Sequence, residues 1–68
     1  SQRNKINVVK EVLIDLENKN QGNEISYEEI RESALKQGIK EDEFDEIFHK
    51  LHRSGDVFEP RRGFFKRM

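Results

Sequence analysis

The apolar residues of this chain keep a helical period up to Gly55 and a period of two after it. That one switch constrains the fold more than any other feature, because it demands helices first and a strand pair last. In EDEFDEIFHKLHRSG, Phe44, Ile47, Phe48 and Leu51 stand at i, i+3, i+4 and i+7, the strongest periodicity in the chain and the mark of one apolar helix face. In VFEPRRGFFKR, Val57 and Glu59 alternate with Phe58, and Phe65 and Arg67 alternate with Phe64 and Lys66, as side chains do on a pleated strand. The chain has 68 residues and no cysteine. Helices and hairpin must therefore share one small core, without a disulfide or a thiolate-bound metal.

Upstream, Ile6, Val9, Leu13 and Leu16, with Val12 beside them, predict a first helix over about 5–19. Val8 and Ile14 lie off that stripe, and spacing leaves them open as core or exposed contact. NKNQGN breaks the helix. Ile25 adds one short extended segment. Ser26 followed by Glu29 reads as a capping box, in which the serine accepts from a free first-turn amide and the glutamate reaches back. The second helix then buries Ile30 and Ala34, with Tyr27 and Leu35 at its edges, and Gly38 ends it. The third helix has acids in its first turns and Lys50, His52 and Arg53 in its last, which suits the helix macrodipole, and Gly55 closes it. In the hairpin, Arg61-Arg62-Gly63 predicts a three-residue loop with Gly63 in the left-handed bulge position. Pro60 cannot donate to a ladder and belongs at the strand end, on an edge. Residues 1–4 read as a disordered or cut end and residues 5–68 as one domain. The order of elements predicts an α+β, mainly α fold: a winged helix-turn-helix of three helices, a short strand and a C-terminal hairpin wing.

The net charge of −1 hides an uneven distribution: residues 1–20 sum to +1, residues 21–52 to −5 and residues 53–68 to +3. Attraction to polyanions is thus confined to the C-terminal segment, and the middle repels them. No apolar run approaches the roughly 18 residues that span a bilayer, and no signal peptide stands at the start, so the expectation is an intracellular protein without a membrane partner.

The carboxylates fall on exposed helix faces with no apolar pocket to shift them, and Ser26, Ser33 and Ser54 have no histidine at a suggestive position; the fragment does not read as an enzyme. His49 and His52 are three residues apart on the third helix, but two ligands hold a metal poorly, and they read as structural. The face opposite the apolar stripe of that helix carries Asp42, Glu46, His49 and Arg53. A helix-turn-helix presents this helix to the major groove, yet its leading residues are acidic and would face phosphates. Specific groove reading is therefore not expected of it, and Asp42, Glu46 and His49 are instead candidate protein-interaction residues. The wing differs: Arg61, Arg62, Lys66 and Arg67, with Lys40 and Arg53 extending the patch, are the candidate DNA contacts, weak and independent of sequence. Phe44, Phe48, Phe58, Phe64 and Phe65 are candidate stacking platforms for single strands; Phe44 and Phe48 sit on the core stripe and read as packing, while Phe64 and Phe65 point to opposite faces of the wing, one toward the core and the other available for stacking.

The run from the third helix into the wing resembles the C-terminal winged-helix domain of MCM replicative helicases, the archaeal ones above all. The resemblance rests on Leu51, His52-Arg53, Gly55, Val57-Phe58, Glu59-Pro60, Arg61-Arg62-Gly63, Phe64-Phe65 and Lys66-Arg67, and on the glycine–aliphatic turn within ALKQGIKEDEFDEIF. It covers roughly residues 5–68; Phe64-Phe65 departs from it where a tyrosine is more usual. It implies a parent protein that unwinds DNA at the expense of ATP, with ATP and magnesium bound in an upstream ATPase domain and no cofactor in this fragment. It also implies a regulatory role, through contacts with DNA, with replication proteins or with the parent's own ATPase ring. The domain by itself is expected to be monomeric, in the cytoplasm or nucleoid of an archaeon or the nucleus of a eukaryote. None of Gly22, Gly38, Gly55 and Gly63 is followed by Lys-Ser/Thr, so no phosphate-binding loop lies in this chain. Two other readings of the same fold are a sequence-specific transcriptional regulator, which the acidic third helix argues against, and a winged helix that binds only protein.

Overall fold

A computed structural model describes residues 4–68. Most of the polar start expected to be disordered, residues 1–3, lies outside the described residues. Asn4, which the sequence groups with that start, instead caps the first helix, its Oδ1 accepting from the Ile6 N–H at 2.9 Å. Helix α1 runs Lys5–Lys19 and buries Val8, Val9, Val12, Leu13 and Leu16. Val8 is thus core, whereas Ile14 is 38% exposed. The turn after α1 uses a left-handed pair, Gln21 at φ 58° and Gly22 at φ 81°.

Strand β1 is Ile25–Ser26 and leads straight into α2, Tyr27–Lys36. Ser26 Oγ accepts from the Glu29 N–H at 3.2 Å, satisfying one of the orphan amides of the first turn. Ile30 and Ala34 are fully buried beneath α2. Helix α3, Glu41–Arg53, has Phe44, Phe48 and Leu51 in the core with Ile47 packed against it. Its N-terminus lacks a reciprocal capping box: Lys40 has no side-chain oxygen with which to accept, so the Glu43 N–H donates to Asp42 Oδ1 at 2.9 Å, while Glu43 Oε1 takes the Lys40 N–H at 3.0 Å. Ile39, which stands alone between the two helices, is also buried.

Strands β2, Val57–Arg61, and β3, Phe64–Arg67, complete a three-stranded antiparallel sheet in the order β1-β3-β2. The last strand is the central one, and β2 forms an edge. The hairpin differs from expectation in one respect. Arg61 pairs with Phe64, so only Arg62 and Gly63 form the turn, with Gly63 at φ 83°. The extra residue sits instead in a bulge: Phe58 pairs with Lys66 and Arg61 with Phe64, leaving Glu59 and Pro60 opposite Phe65 alone. A bulge on an edge strand is where a proline costs no ladder bond, so Pro60 moves the irregularity back from the loop into the strand.

Phe65 joins the helices to the sheet. Its ring meets Phe48 edge-on at 4.8 Å between centroids, and Phe48 in turn stacks on Phe44 at 5.4 Å. Tyr27 touches all three rings. Edge-to-face and offset pairs of this kind add about 0.5–1.5 kcal/mol each beyond their burial, a large share for a domain of this size. Three helices and a terminal hairpin packed in this way form an α+β winged helix. No helix among the described residues is long and apolar enough to cross a membrane.

Candidate nucleic-acid interface

The alternation along β3 divides the basic residues of the wing into two groups. Phe65 and Arg67 face inward with Val57; Phe64 and Lys66 face outward with their cross-strand partners Arg61 and Phe58. The inward position commits Arg67. Its Nε and Nη2 both donate to Glu17 Oε1 on α1, at 3.1 and 2.8 Å, and Glu17 keeps only 15% side-chain exposure. Arg67 is therefore a strut between wing and helix.

Arg61 is engaged differently. Its guanidinium lies over the Phe64 ring at 4.0 Å from the centroid and within 3.5 Å of Glu24, while the side chain stays 63% exposed. Arg62 at the turn and Lys66 on the outer face have no acidic partner among the described residues. The turn itself is fixed from two directions. The Gly63 carbonyl accepts from the Tyr27 N–H at 2.9 Å, and the Gly63 N–H donates to Glu59 Oε2 at 2.8 Å. The wing is thus held against the start of α2, and Arg62 is carried on a tied-down turn.

The two outlying basic residues lie at opposite ends of α3. Lys40 lies beyond the far end of α2 from the turn, a helix of 10 residues and hence about 15 Å. Arg53 ends α3, a helix of 13 residues, about 20 Å from Lys40. Arg53 instead borders a shallow cleft with Glu46, His49, Lys50 and Ser54.

The outward face of α3 is acidic, as its sequence implies. Asp42, Glu43, Asp45, Glu46 and His49 line one open depression. Three of these acids already have partners. Asp42 Oδ1 accepts from the Glu43 N–H at 2.9 Å. Asp45 Oδ1 accepts from the Tyr27 hydroxyl at 2.9 Å, and Glu43 is bonded to the Lys5 ammonium. The hydrogen bond from Lys5, with that from the Lys40 backbone, holds the Glu43 carboxyl below its ordinary range. Burial, reinforced by Asp45, pushes the Tyr27 phenol up to about 12. Of the two histidines, His49 is exposed and His52 sets its ring edge-on to Phe65 at 5.4 Å. Among the described residues no three histidine or acidic side chains are gathered to hold a metal ion.

The structure singles out one of the aromatic residues that the sequence offers for stacking, Phe58. It counts as one more apolar position in the strand pattern, yet it is 38% exposed on the outer face of the wing. The bulge at Glu59-Pro60 sets its phase against Arg61, and only the register reveals it.

No family model matches the chain, and no solved structure does. Two curated proteins do. One, an uncharacterized MCM-type protein of Methanocaldococcus jannaschii, is 38% identical over 65 residues, 96% of this chain and 9% of that protein. Another MCM-type protein of the same organism, also uncharacterized, is 29% identical over 68 residues, all of this chain and again 9% of its own length. The chain thus spans about a tenth of the length of the curated relatives it matches. Over nearly all of its residues this chain is MCM-related.

Proposed function

We propose that this chain is an accessory winged-helix domain, C-terminal to the motor of an MCM-type, ATP-driven DNA helicase. In this reading the wing makes weak, sequence-independent contacts with DNA phosphates and the domain tunes the motor in DNA replication, inside the cell. One observation carries the reading: Arg62, exposed at the turn, and Lys66, part-exposed on the outer face, have no acidic partner among the described residues on a wing that is otherwise tied to the body, while the helix that the fold would offer to the major groove presents Asp42, Asp45 and Glu46. Phosphate neutralisation needs unpaired cations, and these two are the ones the wing leaves free. The opposed sign of α3 suits a protein partner, another replication protein or the parent's ATPase ring, and makes base-specific reading by that helix unfavourable.

The test is a titration of labelled duplex at low and raised salt. The native chain is expected to bind weakly, with an affinity that falls as salt rises. Arg62→Ala/Lys66→Ala should lower the affinity equally for unrelated sequences and flatten the salt dependence by about two phosphate contacts. Tight binding to one sequence that survives the double substitution would point to a transcriptional regulator. Salt-insensitive or undetectable binding at low salt would leave a winged helix that binds only protein.

A further inference from the structure

We infer that the outer face of the wing sheet is a stacking platform for single-stranded nucleic acid, with Phe58 as the residue that receives a base. The inference rests on the proposed role of the wing in DNA contact and narrows it to a strand form. The register places Phe58 opposite Lys66 and Arg61 opposite Phe64, all four on the face turned away from the core. Aromatic and cationic side chains therefore alternate in a checkerboard. Phe58 and Phe64 are diagonal neighbours, a separation of about 7–8 Å between positions in an antiparallel pair. That is close enough for one strand to engage both rings. Single-strand binders combine these same elements, a positive track for the backbone and aromatic faces for successive bases.

Three further observations favour this occupant. Phe58 is the one exposed phenylalanine or tyrosine among the described residues, and a solvated phenylalanine on an edge strand has no role in the core. Arg61 already lies over Phe64, which orients that ring and adds positive charge above it. Arg62 continues the positive track at the turn. The acids nearest the face are tied down, Glu24 beside Arg61 and Glu59 on the Gly63 N–H, so the free charge of the face is positive. Edge protection accounts for Pro60 on β2 but not for an exposed phenylalanine, which by itself would promote association.

The experiment compares oligo(dT) with a duplex of the same length at low salt, for the native chain, Phe58→Ala and Arg62→Ala/Lys66→Ala. Phe58→Ala is expected to weaken oligo(dT) binding about fivefold to thirtyfold, the lower part of the range for one base–aromatic stack, and to leave duplex binding unchanged. A second variant, Phe58→Trp, places one tryptophan in a chain that has none, and its fluorescence should be quenched by oligo(dT) and not by duplex. If Phe58→Ala binds oligo(dT) like the native chain and the tryptophan is not quenched, the platform is wrong even though Arg62→Ala/Lys66→Ala still loses affinity for both nucleic acids. If the double substitution also changes nothing, the DNA role of the wing falls with it. A face that takes a protein instead would give that second outcome.

Discussion

Arg67, in the last strand, donates twice to one oxygen of Glu17, fifty residues earlier on α1. The pair crosses from the sheet to the first helix, and it takes out of the solvent-facing wing a residue that follows Phe64, Phe65 and Lys66 in the sequence. Replacing Arg67 with methionine should therefore act on stability. Arg67 is part-exposed and the pair is correspondingly screened, so the loss is about 1 kcal/mol. In a chain of this size that is about 4–8 °C in Tm. DNA affinity should fall less for this variant than for Arg62→Ala/Lys66→Ala, as thermal melts and titrations on the same samples can show.

Tyr27 is the one tyrosine of the chain, so its ionisation can be followed by tyrosinate absorbance without assignment. The midpoint is expected at about 12 instead of 10.0, through burial first and Asp45 second. Asp45→Asn should bring it down toward 10 while leaving part of the shift, because burial remains. A raised pKa on a group that is neutral below it means that the folded state holds the proton more tightly. The associated stability is present below pH 10 and is lost as pH rises from there toward about 12.

Glu43 has the opposite sign. Its pKa is lowered from 4.5, chiefly by the hydrogen bond from Lys5 and then by the Lys40 amide. The stability it contributes is present above pH 4.5 and is lost as pH falls below that value through the lowered pKa. Glu43→Gln should accordingly reduce Tm at neutral pH, and the difference from the native chain should close in strong acid. A Tm difference that persists unchanged in strong acid would show that the carboxylate charge is not the source of the effect.

The core and the exposed apolar positions of α1 and α3 should separate sharply. Phe44 is fully buried and contacts Tyr27 and Phe48. Phe44→Ala should cost about 3–5 kcal/mol, which leaves little or no folded protein in a domain this small. Ile14→Ala removes a side chain that is 38% exposed and should stay within about 0.5 kcal/mol of the native chain. Circular dichroism melts and urea titrations distinguish the two.

Gly63 holds the turn at φ 83°, with nothing within 4 Å of where a Cβ would stand. Gly63→Ala therefore meets no neighbour and is penalised by backbone conformation alone, about 1 kcal/mol. Gly63→Asn, a residue that tolerates the left-handed region, should recover part of that loss. Equal Tm values for the alanine and asparagine variants would count against the left-handed turn.

The helices, their ends and the presence of a hairpin are legible in the sequence because local rules govern them. The stripe of Phe44, Phe48 and Leu51 can face only one way on a helix, Ser26 can cap only the helix on its C-terminal side, and Gly63 marks a left-handed turn wherever it falls. The acidic character of α3 comes from spacing alone as well. What tertiary structure decided is which charges remain free. Arg61, Arg62, Lys66 and Arg67 look equivalent as letters. Their roles diverge because the bulge at Glu59-Pro60 sets the phase of β2 against β3, turning Phe58 and Arg61 outward, while inward-facing Arg67 meets Glu17 on α1. Val8 and Ile14, alike in type and both off the main stripe, are separated in the same way, by the packing of other elements against α1. Pairing register and long-range ion pairs depend on contacts between residues distant in the chain, and no local pattern encodes them.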